Sequence, residues 1–467
     1  MQRMLIFFLT TLLLSKSALT APLKIIEIKS SATDQQTLAL TVYHDDLALV
    51  RDSRTVHLPP GISQLAFIDV SAQLHPETAQ LYGGPTVLEQ SFDYDLLSPR
   101  KLLEKYVGRQ VGLVHTHPET GEERLEQGTL LSVTEDGVVF RFKDRIETGA
   151  HSPWRFVFDE VPDDLREQPT LAMLLDSPTA TTSTVELAYL TGGLSWKADY
   201  GATLDTAGER MALTGWVTLN NTSGATYRDA HLQLLAGDIS RVEAPPLDRA
   251  KRETMTAMAA PAMPQEEFFE YHLYTLERPT TIADRQTKQV LLLQAEQLPV
   301  TRDYRIDASG PYYGPLQDKQ ELRTQVMLRF SNEKPQLGEP LPAGIMRFYQ
   351  RDRTGAIQFI GEQRIEHTPE GRELELAVGS AFDITATRRQ TAFRKGPGNE
   401  RESAWEVEVF NAKAEPVSVT VLASFPGEWK IIEQSLPHER KDAATAQWTV
   451  QVPPKGQTTL NYTVWLR

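Results

Sequence analysis

Strict alternation of apolar and polar residues is the feature that most constrains this chain. After Gly192-Gly193, the residues Leu194, Trp196, Ala198, Tyr200, Ala202 and Leu204 alternate with Ser195, Lys197, Asp199, Gly201, Thr203 and Asp205. Successive side chains of an extended backbone point to opposite faces, so a period of two predicts a strand with one buried face. Trp196 and Tyr200 then face a core, while Ser195, Lys197 and Asp199 share a solvated outward face. The preceding VELAYL, residues 185–190, has the same period and predicts the other arm of a hairpin.

The same pattern recurs along the chain. Residues 37–58 suggest two strands about His44-Asp45-Asp46, followed by a turn at Pro59-Pro60-Gly61 and a strand through QLAFIDV. SPRKLLEKYVG, residues 98–108, is the clearest helix, with Ser98 as N-cap, Pro99 at the first position and Gly108 as terminator. RQVGLVHTH, GTLLSVTED and GVVFRFKDRIE follow as three short strands, which suggests a small barrel of SH3 or Sm type. Residues 243–267 are rich in Ala, Pro, Met and charge without periodicity and read as a mobile loop. From residue 321 eight short strands arrive at regular spacing, as in a β-sandwich of immunoglobulin-like construction. The expected class is therefore mainly all-β: β-sandwiches in several domains, one SH3/Sm-like barrel and one short helix. The expected divisions are a leader at 1–20, an N-terminal β domain at 22–97, helix and barrel at 98–166, a central β domain at 170–320, and the sandwich at 321–467.

The N-terminus reads as an export signal. MQRM carries one positive charge, residues 5–14 are apolar, and SKSALTA supplies small residues for cleavage. The apolar run is short of the about 20 residues that span a bilayer, and no later segment is apolar enough, so no membrane span is expected in the mature chain. The chain has no cysteine, which removes a lipidated cysteine, disulfides and thiolate chemistry. A periplasmic protein that is not a lipoprotein is the expectation. With 62 acidic against 48 basic residues and a net charge of −14, the surface repels phosphate backbones, so nucleic acid is not an expected partner.

Several side-chain constellations resemble active sites. Ser195 lacks the second glycine of a nucleophile elbow, because Lys197 occupies it, and a Ser195/Lys197 dyad needs a desolvated lysine. His115 and His117 would project together from a strand, with Glu119, Glu122 and Glu123 nearby, and are the metal candidates. Pro118 and Gly121 mark this as a hairpin tip, where solvated histidines ordinarily sit. Met255, Met258 and Met263 could offer thioethers to Cu(I). The pairs Asp45-Asp46 and Asp93/Asp95 could act as acid and base. The run from Asn220 to Gly224 reads as a polar turn. HExxH and the Gly-rich phosphate loops are absent, and no cofactor and no catalytic residue is expected.

YLTGGLSWKADY (189–200), GWVTLNNTSGATYRDAHLQLLAGD (215–238), EYHLYTLERPTTI (270–282) and GEQRIEHTPEGRELELAVGSAFDI (361–384) together resemble a bacterial domain-of-unknown-function family, numbered 4139. That family is related to mucoidy inhibitor A. SFDYDLLSPRKLLEKYVG (91–108) is similar to the N-terminal part of its exported proteobacterial members. The resemblance implies a β-rich exported protein with an influence on envelope or exopolysaccharide, and it implies no catalytic residue. The resulting expectation is a non-enzymatic binding or adaptor protein with an envelope protein or glycan partner. The alternative is an envelope hydrolase or metal-binding protein using the His115/His117 hairpin.

Overall fold

The computed structural model describes residues 25–44, 46–93, 96–117, 119–149, 154–162, 165–237, 265–268 and 271–467. The expected leader, all but the last three residues of the expected loop, Met255, Met258, Met263, Asp45 and Asp95 lie outside these residues. Strands dominate and Pro99–Lys105 is the single α-helix among the described residues, as alternation predicts. The chain forms two compact units, and neither is continuous. One takes residues up to Thr37 and Arg51–Tyr189; the other takes Leu38–Val50 and Leu190–Arg467.

In the first unit, Ile26–Ser30 runs parallel to Gly61–Ile68, which pairs antiparallel with Thr170–Ser177, itself antiparallel to Thr86–Asp93. The helix and a five-stranded antiparallel sheet are inserted between those last two strands. The sheet comprises Gln110–Thr116, Glu123–Thr134, Gly137–Arg141, Ile146–Gly149 and Trp154–Val157, with Ile146–Gly149 and Trp154–Val157 at its two ends. Its own core is Leu103, Tyr106, Val111, Leu113, Leu130, Phe140 and Phe142. The run GVVFRFKDRIE is two strands rather than one, because the chain turns back where Phe142 N–H donates to the Arg145 carbonyl at 2.8 Å. Elsewhere in this unit Arg54 is fully buried. It donates to Asp52 Oδ2 from Nε and Nη2, and to the Ser30 and Ile68 carbonyls from Nη1, all at 2.7–3.0 Å. Gln35 Nε2 occupies the other Asp52 oxygen at 2.7 Å. With both Asp52 oxygens accepting and all three Arg54 nitrogens donating, the buried charges are tolerated.

The second unit holds a five-stranded sheet and a sandwich. The sheet order is Gln286–Pro299, Arg210–Asn221, Leu194–Leu204, Gly344–Arg351 and Ile357–Ile365. The sandwich packs a six-stranded sheet on a five-stranded one over a core that includes Trp405, Trp448, Tyr462 and Phe425. Tyr227–Ala236 pairs in parallel with Ala39–Val42, and antiparallel with Tyr271–Thr275. Gln265–Phe268, at the end of the expected loop, is a strand beside Tyr271–Thr275.

Three sequence expectations need correction. Thr170–Ser177 pairs into the first unit, so the central domain does not begin at 170. A cut at 321 is not where pairing divides either: Thr301–Asp307 joins the sandwich, whereas Gly344–Arg351 and Ile357–Ile365 join the sheet of Leu194–Leu204. Finally, Thr181–Thr191 and Leu194–Leu204 do not form a hairpin, since they belong to different sheets. The backbone of Gly193, held at φ +78°, bonds elsewhere. Its N–H donates to Asp46 Oδ1 at 2.9 Å and its carbonyl accepts from Thr222 N–H at 2.7 Å. Pairing between sequence-distant strands leaves no local signal, and the boundaries are missed for that reason.

Candidate functional site

The strand Leu194–Leu204 carries two different surfaces. Inward, Trp196 and Tyr200 are buried, and the Tyr200 hydroxyl donates to the Pro342 carbonyl at 2.8 Å. Trp196 stands edge-on to His44, with ring centroids 5.5 Å apart, and His44 lies 6.4 Å from His367. Trp196 Nε1 and His44 Nδ1 are buried without a hydrogen-bond partner among the described residues. His367 Nδ1 accepts the Ala343 N–H at 3.2 Å. The local sequence around His44 gives no sign of this grouping, because its members come from three distant segments.

Outward, the same strand forms the middle of an uncovered sheet face. Register places Asp199 between Trp216 and Ile345, Gly201 beside Arg347, and Thr203 beside Tyr349. Trp216 in turn neighbours Leu291, Arg347 neighbours Glu362, and Tyr349 neighbours Phe359. Trp216, Leu291 and Phe359 are 39 %, 43 % and 57 % exposed, an unusual amount of apolar surface for a solvated face. A Cβ added at Gly201 would meet nothing within 4 Å, so the middle of the face is open.

Asp199 is the electrostatic centre of this face. Its Oδ1 accepts from Arg347 Nη1 at 3.0 Å and its Oδ2 from Thr218 Oγ1 at 2.9 Å, with Lys197 Nζ at 3.5 Å. Arg347 also pairs with Glu362 at 3.1 Å. Burial alone would raise the Asp199 carboxyl, but the hydrogen bonds from Arg347 and Thr218 outweigh it and hold the group below the usual carboxylate range. It is an anion with both oxygens engaged, suited to fixing Arg347 rather than to accepting protons. Asp199 is only 8 % exposed, so the fully wet face expected from alternation is corrected at this residue. Lys197 is exposed and ion-paired, which is not the desolvated lysine a Ser195/Lys197 dyad requires.

The other candidates fall elsewhere. His115 is half-buried on Gln110–Thr116. His117 sits in the following turn, where its Nδ1 accepts from the N–H groups of Glu119 and Thr120 at 3.3 and 3.4 Å. Among the described residues no three His, Asp or Glu side chains converge as a metal site. Asp93 belongs to an ion triad, with Arg166 Nε on Asp93 and its two terminal nitrogens on Glu27, all at 3.0 Å. Asp46 caps Gly193. The expected polar turn centres on Asn221, fully buried, whose Nδ2 donates to the carbonyls of Ala225, Ile282 and Ala283 at 2.9–3.2 Å. Sequence reasoning missed the Trp216–Asp199–Arg347 face because Arg347 lies 148 residues from Asp199.

No helix among the described residues is long and apolar enough to cross a membrane. No curated protein matches the chain significantly. A family model does match, over residues 185–467, which contain the whole of the open face and all its charged partners. The chain therefore belongs to the family described as domain of unknown function DUF4139.

Proposed function

We propose that this is an exported, envelope-associated protein that acts by binding a protein partner across the open face of Leu194–Leu204 and its neighbours, and catalyses no reaction. The observation carrying this reading is the composition of that face. Partly exposed Trp216, Leu291, Tyr349 and Phe359 surround a fixed Asp199–Arg347–Glu362 network. Protein interfaces are enriched in aromatic residues and arginine around their centres. Exposed Ile357, on the same strand as Phe359, extends the apolar surface. Export rests on the leader read at residues 1–20, and a periplasmic location on that leader together with the absence of cysteine.

A photo-crosslinking residue in place of Trp216 or Phe359, introduced into the full chain in cells, tests the reading. Both positions are expected to trap the same envelope protein, and exposed Ile432 on the sandwich is expected to trap none. Adducts at all three positions, or none at any, would count against a protein-binding face. Retention of the chain on exopolysaccharide without any adduct would redirect the reading to a glycan partner.

A further inference from the structure

Within the second unit, the five-stranded sheet and the six-stranded sheet of the sandwich border a half-open cavity of about 180 Å³. Its walls are mainly aliphatic, with Leu204 and Ile360 from one sheet and Val326, Leu328 and Val378 from the other, and Ser380 and two glycines complete them. Arg302 also lines it, at the start of Thr301–Asp307. The turn beside Arg302 is rigidly built. Asp205 Oδ1 accepts the Gly208 and Glu209 N–H groups at 2.6 and 3.0 Å, and Val300 N–H donates to the Glu209 carbonyl at 2.9 Å. Gln350, also in the lining, has its amide nitrogen directed at the Asp205 and Thr206 carbonyls.

Arg302 is the one cation of the lining, and it is exposed. In a chain with 62 acidic residues, its guanidinium makes no ion pair or hydrogen bond among the described residues. Its neighbours in sequence do: Asp303 pairs with Arg329 and Arg305 with Glu375. A free planar cation beside an aliphatic cavity matches a carboxylate attached to an apolar tail. Size limits the tail. An apolar cavity of about 150 Å³ holds benzene, so this one takes about six to eight carbons. The walls have no aromatic plate, and Gln350 is spent on the turn, which disfavours a peptide end with its amides to satisfy.

We infer that this cavity binds a medium-chain fatty carboxylate, its head on Arg302 and its tail against Leu204, Leu328, Ile360 and Val378. The site is separate from the proposed partner face, and its failure would leave that reading intact. Titration calorimetry of the full chain with octanoate and with octan-1-ol tests it. Octanoate is expected to bind at one site, and Arg302→Ala to weaken it about tenfold, to the level of octanol. Arg302→Lys should restore part of the loss. Gly379→Met should block both ligands without lowering Tm, since a Cβ there meets only the Ile360 carbonyl oxygen, at 3.8 Å. No saturable octanoate binding to the unmodified chain, or binding unchanged in both Arg302→Ala and Gly379→Met, would overturn the inference. So would tighter binding of an N-acetylated peptide ending in leucine.

Discussion

Trp196 fills the inward side of its strand and is 3 % exposed. Trp196→Ala should destabilise the chain by about 3–5 kcal/mol, the cost of emptying an aromatic site, measured by denaturant unfolding. Because the indole N–H has no partner among the described residues, Trp196→Phe should cost well under half of that. Equal losses in the two variants would show that the N–H matters after all. Tyr200 supports a pH prediction. Burial holds its phenol well above the ordinary value of 10, so the folded protein keeps a proton that the unfolded chain releases. Stability should be unaffected below about pH 10 and fall above it by about 1.4 kcal/mol per pH unit for each such phenol. Tyr200→Phe should lower stability at neutral pH by about 1 kcal/mol, through the lost bond to Pro342, yet reduce the alkaline slope. The inward or outward direction of every residue on this strand is legible from its period. Which partner holds Asp199 is not, since the Arg347 pairing depends on a parallel contact that nothing local encodes.

A recurring device ends three strands. Asn221, Asn332 and Asn411 are each fully buried at or just after a strand end, with side-chain amides donating to backbone carbonyls of neighbouring segments. Asn332 reaches the Glu339 and Pro369 carbonyls at 2.6 and 2.8 Å. Asn411 reaches those of Glu415 and Pro453 at 2.8 and 3.1 Å, and its Oδ1 accepts the Lys413 N–H at 2.9 Å. Each asparagine substitutes for a short missing piece of backbone ladder. Asn411→Ala strands several buried polar groups at once and should cost about 2–4 kcal/mol, read as a drop in Tm. Asn411→Asp should be nearly as harmful, because one face of the side chain must donate. The sequence marks the first of these sites as a polar turn, but the three flanks NTSGA, NEKPQLG and NAKAEP share too little to reveal a repeat. Gly361 gives a further element-scale constraint: a Cβ there would collide with the Val378 carbonyl oxygen.

At the scale of the whole molecule, the family match and the fold do not share a boundary. The match begins at residue 185, whereas the second unit also takes Leu38–Val50. A fragment of residues 185–467 lacks the parallel partner of His231–Leu234 and leaves an apolar strand edge unpaired. It should be less soluble and melt lower than the full chain, and fusing residues 35–50 to it should recover part of the loss. A fragment as stable as the full chain would mean that this strand is dispensable. Fold class is legible throughout because alternation is a local property. Domain borders at 170 and 321 are not, because they are decided by which distant strands meet. The metal candidates were the most conspicuous residues in the sequence, yet His117 turns its Nδ1 to its own turn. The open face was inconspicuous, since its residues are individually ordinary.

That threading also sets an order of events during synthesis. Thr41 meets Gln233 across 192 residues, so the strand Gln35–Val42 emerges long before its parallel partner exists. Its other edge pairs with Ala48–Leu58, made soon after it, but at about 5–20 residues per second the edge that meets Tyr227–Ala236 stays open for roughly ten to forty seconds. The first unit cannot close earlier than Thr170–Ser177, and the second cannot close until its C-terminal strands are made. Such long-range pairing makes for slow folding and for a prolonged exposure of apolar edges. The first unit can therefore close while most of the second is still unmade, and the early strand Gln35–Val42 joins the two stages, since one of its edges must wait for a partner made much later.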